Sequence, residues 1–104
     1  MEVQIVNEYL RKIFEGKAVP GKPKYNIEVI NKFKKTVLKL QLADSLKDIK
    51  AQRGLNFEAL KGDLKGYYSV RVDYHYRLIL TIDQHDQVKL TEIILIHELT
   101  NHYQ

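Results

Sequence analysis

A chain of 104 residues, 44% of them apolar, is enough for one domain spanning 1–104 with one core, and not for two. It has no cysteine, which excludes disulfides and thiolate metal sites and makes a reducing compartment, the cytoplasm, the expectation. Lys plus Arg number 17 against 13 Asp plus Glu, and the net charge of +4 suits either a solvated surface or a polyanion partner. No apolar run approaches the roughly 20 residues of a membrane span, and the N-terminal stretch has early acids and no apolar h-region, so no membrane partner and no signal peptide are expected.

Val3 and Ile5 alternate and predict a short first strand. Val6, Tyr9, Leu10, Ile13 and Phe14 have helical spacing, with Asn7 as a cap and Gly16 as a stop. The segment GKAVPGKPK, 16–24, predicts a loop from its prolines and glycines, and it carries three lysines. Ile30, Phe33, Val37 and Leu40 form a core stripe and predict the main helix over Asn26–Leu42. Lys32, Lys34, Lys35 and Lys39 cover much of its remaining surface, as in an ordinary solvated face. Ser45-Leu46-Lys47-Asp48 has the S-x-x-D capping pattern and predicts a short helix, broken at Gln52-Arg53-Gly54.

Beyond Gly54 the period changes to two. Strands are predicted at Tyr67–Asp73, Tyr76–Asp83 and Val88–His97. Ile93-Ile94-Leu95-Ile96 is apolar on both faces, which suits a central strand between layers. Helices followed by a strand meander indicate an α+β fold, N-terminal helices packed on a small twisted antiparallel sheet.

The first hairpin raises a question of charge. Its core residues are Tyr68, Val70 and Val72 on one strand and Tyr76, Leu78, Leu80 and Ile82 on the next. A three-residue loop at Asp73-Tyr74-His75 puts both sets on one side and sets Arg71 opposite Arg77 on the other. Like charges directly opposite cost a few tenths to about 1 kcal/mol. Two readings follow: a phosphate gripped between the arginines, or two solvent-pointing arginines relieved by Asp73 or Glu92. Under the first, Arg77→Ala should nearly abolish cleavage while leaving the fold intact.

Metal-free phosphodiester cleavage needs a base, cations for the phosphoryl oxygens and an acid. Glu58 is a candidate base, Arg71, Arg77 and Lys61 candidate cations, and a histidine a candidate acid. Glu58 and Lys61 flank a turn, and Lys65 follows in Gly62-Asp63-Leu64-Lys65-Gly66. Each has a plain alternative: Glu58 as a surface carboxylate, His102 and Tyr103 as a frayed tail. His75 and His85 fall in turns, and His97 ends the last strand. The chain has no close-spaced metal-ligand set, no Gly-rich nucleotide loop and no nucleophile elbow, so no cofactor is implied.

The stretches FEGKAVPGKPKYNIEVINKF and ADSLKDIKAQRGLNFEALKGDLKGYYSVRVDYHYR, with LKGD and the SVRV…YR pair inside the second, resemble the HigB-like branch of the RelE/ParE toxins of type II toxin–antitoxin systems. The terminal His102-Tyr103 is similar to a YoeB-type ending. The resemblance covers nearly the whole chain. It implies a RelE-like fold and a ribosome-dependent endoribonuclease that cuts mRNA in the decoding site. By the same resemblance Glu58 is the general base, Arg71 and Arg77 bind phosphate, and Lys61 and Lys65 contact RNA. His102 is then the general acid, with His97 as second choice, and Tyr103 stacks on a base. The HigB-like Asp-Tyr-His ending is missing, since Leu95-Ile96-His97 occupies that position. The implied partners are the ribosome with its mRNA and an antitoxin of the helix-turn-helix kind, and the lysines of the main helix and the 16–24 loop are implied contacts to ribosomal RNA.

Two other readings stand beside this one. A ParE-like gyrase inhibitor of similar fold would do without the base and the terminal histidine, so Glu58 and His102 argue against it. A degenerate toxin kept as an antitoxin-binding regulator would keep the fold without the activity.

Overall fold

Three helices start where side-chain caps are available. The computed structural model describes residues 1–86 and 91–102. Asn7, Asn26 and Ser45 each hold an extended backbone and accept a bond from a first-turn amide: Leu10 at 3.1 Å, Val29 at 2.9 Å and Asp48 at 3.3 Å. They open α1 (Glu8–Phe14), α2 (Ile27–Leu42) and α3 (Leu46–Ala51). Val6, expected on the first helix, lies outside it and is exposed. Its amide still donates to the Ile96 carbonyl at 3.0 Å, prolonging the preceding strand by one bond. On α2 the buried stripe runs through Val29, Phe33, Val37 and Leu40, so Val29 takes the place expected for Ile30, which is half-buried.

Among the described residues five strands form one sheet: β1 (Glu2–Ile5), β2 (Glu58–Ala59), β3 (Tyr68–Arg71), β4 (Arg77–Asp86) and β5 (Thr91–Thr100). Their spatial order is β1-β5-β4-β3-β2. The start expected for the last strand, Val88, lies outside the described residues. The antiparallel expectation holds for β2 to β5 and fails for β1, which runs parallel to β5 with Glu2 opposite Ile93 and Ile5 opposite Ile96. A parallel pair requires a long crossover, and here the three helices lie in that connection. β5 is thereby flanked on both edges, and its Ile93, Ile94 and Ile96 are buried.

One sheet face carries Val70, Leu78, Leu80, Ile94 and Ile96 into a cluster with Leu10, Ile13, Phe33, Val37 and Leu40 of the helices. Burial of such side chains contributes about 1.5–3 kcal/mol each before the entropy cost of ordering the chain. The candidate site lies on the opposite face, which carries Ser69, Arg71 and Arg77.

Tyr25 ties the 16–26 connection to the end of β5. Its hydroxyl donates to the Leu99 carbonyl at 2.7 Å, and its ring meets Tyr76 edge-on at 5.7 Å. Burial, reinforced by Glu98, Tyr76 and Tyr9, raises its pKa above the ordinary phenol value. The folded state therefore favours the protonated phenol. That contribution is complete below about pH 10, the unfolded value, and is lost as pH rises through the higher folded value. Tyr25→Phe is expected to cost about 1 kcal/mol at neutral pH, and its deficit against the wild type narrows in alkali. Urea titrations at pH 7 and above pH 10 check this; a deficit that stays constant would refute it.

Candidate active site

The hairpin between β3 and β4 sets the register. Val72 and Asp73 amides donate to the Tyr76 carbonyl at 2.9 and 3.2 Å, while Asp73 Oδ1 accepts the amides of His75 and Tyr76 at 2.8 and 2.7 Å. An aspartate that closes its own turn in this way defines a fixed loop. Arg71 then pairs with Arg77, Val70 with Leu78 and Ser69 with Ile79. Glu58 pairs with Ser69 across β2 and β3, and Arg77 pairs with Thr100 across β4 and β5. Paired residues share a face, so Glu58, Ser69, Arg71, Arg77 and Thr100 all stand on the side away from the helices.

The two arginines live in different surroundings. Arg71 is exposed, whereas Arg77 is only 2% exposed. Arg77 Nε donates to Ser69 Oγ at 2.8 Å, and one terminal nitrogen donates to the carbonyls of Ser69, at 3.3 Å, and of Asn56. The like charges expected to face each other are thus separated in depth, with one guanidinium folded down onto the protein's own oxygens. Asp73, expected to relieve them, is occupied by its turn.

Glu58 begins a two-residue edge strand, where a turn flank was expected, and it is exposed. Its Oε1 accepts a bond from Asn56 Nδ2 at 3.1 Å. Asn56 closes the 3-10 turn Arg53–Leu55 in the left-handed conformation, φ 44° and ψ 57°, and its amide donates to the Arg53 carbonyl at 3.0 Å. Asparagine tolerates that region better than most residues. A hydrogen-bonded chain therefore runs Ser69, Arg77, Asn56, Glu58.

Lys61 and Lys65 are exposed and bracket the second 3-10 turn, Gly62–Leu64. The loop is closed at its base by the Leu60 amide on the Tyr67 carbonyl, 2.9 Å, just past β2. His97 is half-buried at the β4–β5 irregularity. Its Nε2 lies 2.7 Å from Thr81 Oγ1, and the Tyr67 ring meets it edge-on at 5.5 Å. His102 is exposed just past β5, and its amide donates to Thr100 Oγ1 at 2.9 Å, which turns the backbone beside the Arg77 row. Tyr103 lies outside the described residues. His75 is exposed at the hairpin tip. Among the described residues no group of three His, Asp or Glu side chains is placed to hold a metal ion, and no helix is long and apolar enough to cross a membrane.

Across the sheet the order is Glu58 on β2, Arg71 on β3, Arg77 on β4 and Thr100, leading to His102, on β5. Adjacent strands lie about 4.8 Å apart, so β2 and β5 are separated by about 14 Å. Asn56 and Ser69 were not legible as site residues. The only local sign was turn chemistry: an asparagine two residues after Gly54, at the start of a period-two run.

Residues 4–93 match the family model of HigB-like toxins, described as RelE-like toxins of type II toxin–antitoxin systems. No curated protein matches the sequence. Solved structures share the fold at low identity. The YoeB/ParE toxin from Agrobacterium tumefaciens superimposes with a TM-score of 0.56 at 15% identity, covering 99% of this chain and 100% of that one. YafQ from E. coli strain BL21(DE3) gives 0.54 at 13%, covering 95% and 90%. The toxin–antitoxin complex RelBE2 from Mycobacterium tuberculosis gives 0.52 at 18%, covering 97% and 96%.

Proposed function

This chain belongs to the HigB-like toxins, RelE-like toxins of type II toxin–antitoxin systems, and from that premise we propose that it is a ribosome-dependent endoribonuclease acting on mRNA in the decoding site. The observation that carries this reading is the lateral order of the site: a carboxylate on the edge strand β2, two arginines on β3 and β4, and a histidine just past the end of β5.

The chemistry follows from that order. Glu58 takes the proton of a ribose 2′-hydroxyl. The 2′-oxygen attacks the adjacent phosphorus, the bond from phosphorus to the 5′-oxygen breaks, and His102 protonates the leaving oxygen. The products are a 2′,3′-cyclic phosphate and a 5′-hydroxyl. Attack and departure occur on opposite sides of phosphorus, which suits a base and an acid on either side of the arginine pair. Arg71, exposed between them, meets the phosphoryl oxygens directly, and Arg77 adds a fixed positive charge from beneath, where screening is weak. Lys61 and Lys65 hold neighbouring phosphates, and Tyr103 stacks on a base. The ribosome supplies orientation of the substrate, an effect that can lower a barrier by several kcal/mol.

A cognate antitoxin, a helix-turn-helix protein, is the second partner. The cytoplasm, where ribosomes and mRNA meet, is the compartment.

The test is primer extension on mRNA-programmed ribosomes. The wild type is expected to give discrete cuts that require ribosomes. Arg71→Ala is expected to slow them about 100-fold with an unchanged melting temperature, since Arg71 is exposed. Absence of cuts from folded wild-type protein would overturn the reading.

A further inference from the structure

We propose that Asn56 is a positioning residue for Glu58, and that Arg77 holds Asn56 in place. The proposal rests on Glu58 being the base. An exposed glutamate on a two-residue edge strand has little to hold it, and a free Glu side chain keeps about 1.5–2 kcal/mol of rotamer entropy. A general base must instead sit within hydrogen-bond reach of its proton in the right orientation.

The only hydrogen bond Glu58's side chain makes among the described residues comes from the Asn56 amide. An ionised carboxylate only accepts, so the amide nitrogen is the atom that faces it. The bond engages Oε1 and leaves Oε2 for the ribose hydroxyl. Asn56 is itself held at three points: its left-handed backbone, its amide on the Arg53 carbonyl, and its carbonyl on the buried Arg77 guanidinium. The last is charge-assisted and stronger than a neutral bond. Arg77 is anchored below by Ser69. An exposed carboxylate is thereby registered to the buried part of the sheet through a single side chain.

Asn56→Gly tests this, because glycine adopts the left-handed conformation without strain and lacks only the amide. Asn56→Asp keeps the shape and replaces the donor with a second carboxylate. Maximal cleavage rate and half-saturating ribosome concentration are measured on mRNA-programmed ribosomes, together with melting temperature, in the wild-type and Glu58→Gln backgrounds. Asn56→Gly is expected to lower the maximal rate about tenfold with half-saturation and melting unchanged, and Asn56→Asp to be at least as slow. In the Glu58→Gln background, where the arginines still support residual cleavage, neither change should slow the reaction further. A wild-type rate for Asn56→Gly, or an equal loss in both backgrounds, would overturn the positioning role while leaving Glu58 as base. If Glu58→Gln itself cleaves at the wild-type rate, the base assignment fails and the positioning role fails with it.

Discussion

Glu58→Gln is expected to cleave mRNA on programmed ribosomes about 100- to 1,000-fold more slowly than the wild type, the range for loss of a general base. The substitution is nearly isosteric and the residue is exposed, so the melting temperature should not move. The amide of glutamine can still lie against Asn56 but cannot take a proton from a 2′-hydroxyl. What remains is the contribution of the arginines and of ribosomal orientation. Primer extension at matched protein and ribosome concentrations reads the result. Undiminished cuts would keep the nuclease and move the base elsewhere. A simultaneous fall in melting temperature would mean that Glu58 supports the strand rather than the chemistry.

Arg77→Ala is expected to destabilise the fold by about 2–4 kcal/mol, because it strands buried polar partners and opens a void. This corrects the expectation from sequence that the fold would survive the substitution intact. That expectation assumed a side chain on an open face, but the guanidinium is 2% exposed and bonded to Ser69 and to the Asn56 carbonyl. For a chain of this size the loss corresponds to a melting temperature lower by roughly 10–20 °C. Arg77→Lys should recover only part of it, since an ammonium cannot reproduce the planar fork that spans Ser69 and Asn56. Thermal denaturation of both variants decides. An unchanged melting temperature for Arg77→Ala would show that the guanidinium bears no structural load. The contrast with Arg71→Ala is the informative comparison, because the two arginines are directly paired and only Arg77 is buried and bonded to Ser69 and Asn56.

Local features were legible in the sequence where short-range chemistry governs them. Asn7 and Ser45 cap helices because a short polar side chain reaches the amide three residues on, whatever lies elsewhere. Asp73-Tyr74-His75 sets the hairpin loop because three residues align both apolar sets on one side where a two-residue turn would oppose them, and the pairing of Arg71 with Arg77 follows. Family membership was legible too, since LKGD and SVRV…YR lie within a few dozen consecutive residues. The other features depend on contacts between distant residues. β1 runs parallel to β5 because the helices carry the chain over before the sheet is completed, and nothing in Glu2–Ile5 specifies that direction. β2 has two residues, too few for a period to register, and exists because β3 offers it an edge. The two arginines are alike as residues, and only the chain at Asn56, some twenty positions upstream, decides which is buried: its carbonyl lies where the Arg77 guanidinium can reach it. The sequence alone therefore determined which residue types the site contains and which strands pair at its centre. The tertiary structure decided the depth, orientation and support of each side chain, because burial and long-range hydrogen bonds exist only once the β2 edge and the Asn56 turn have closed over the sheet.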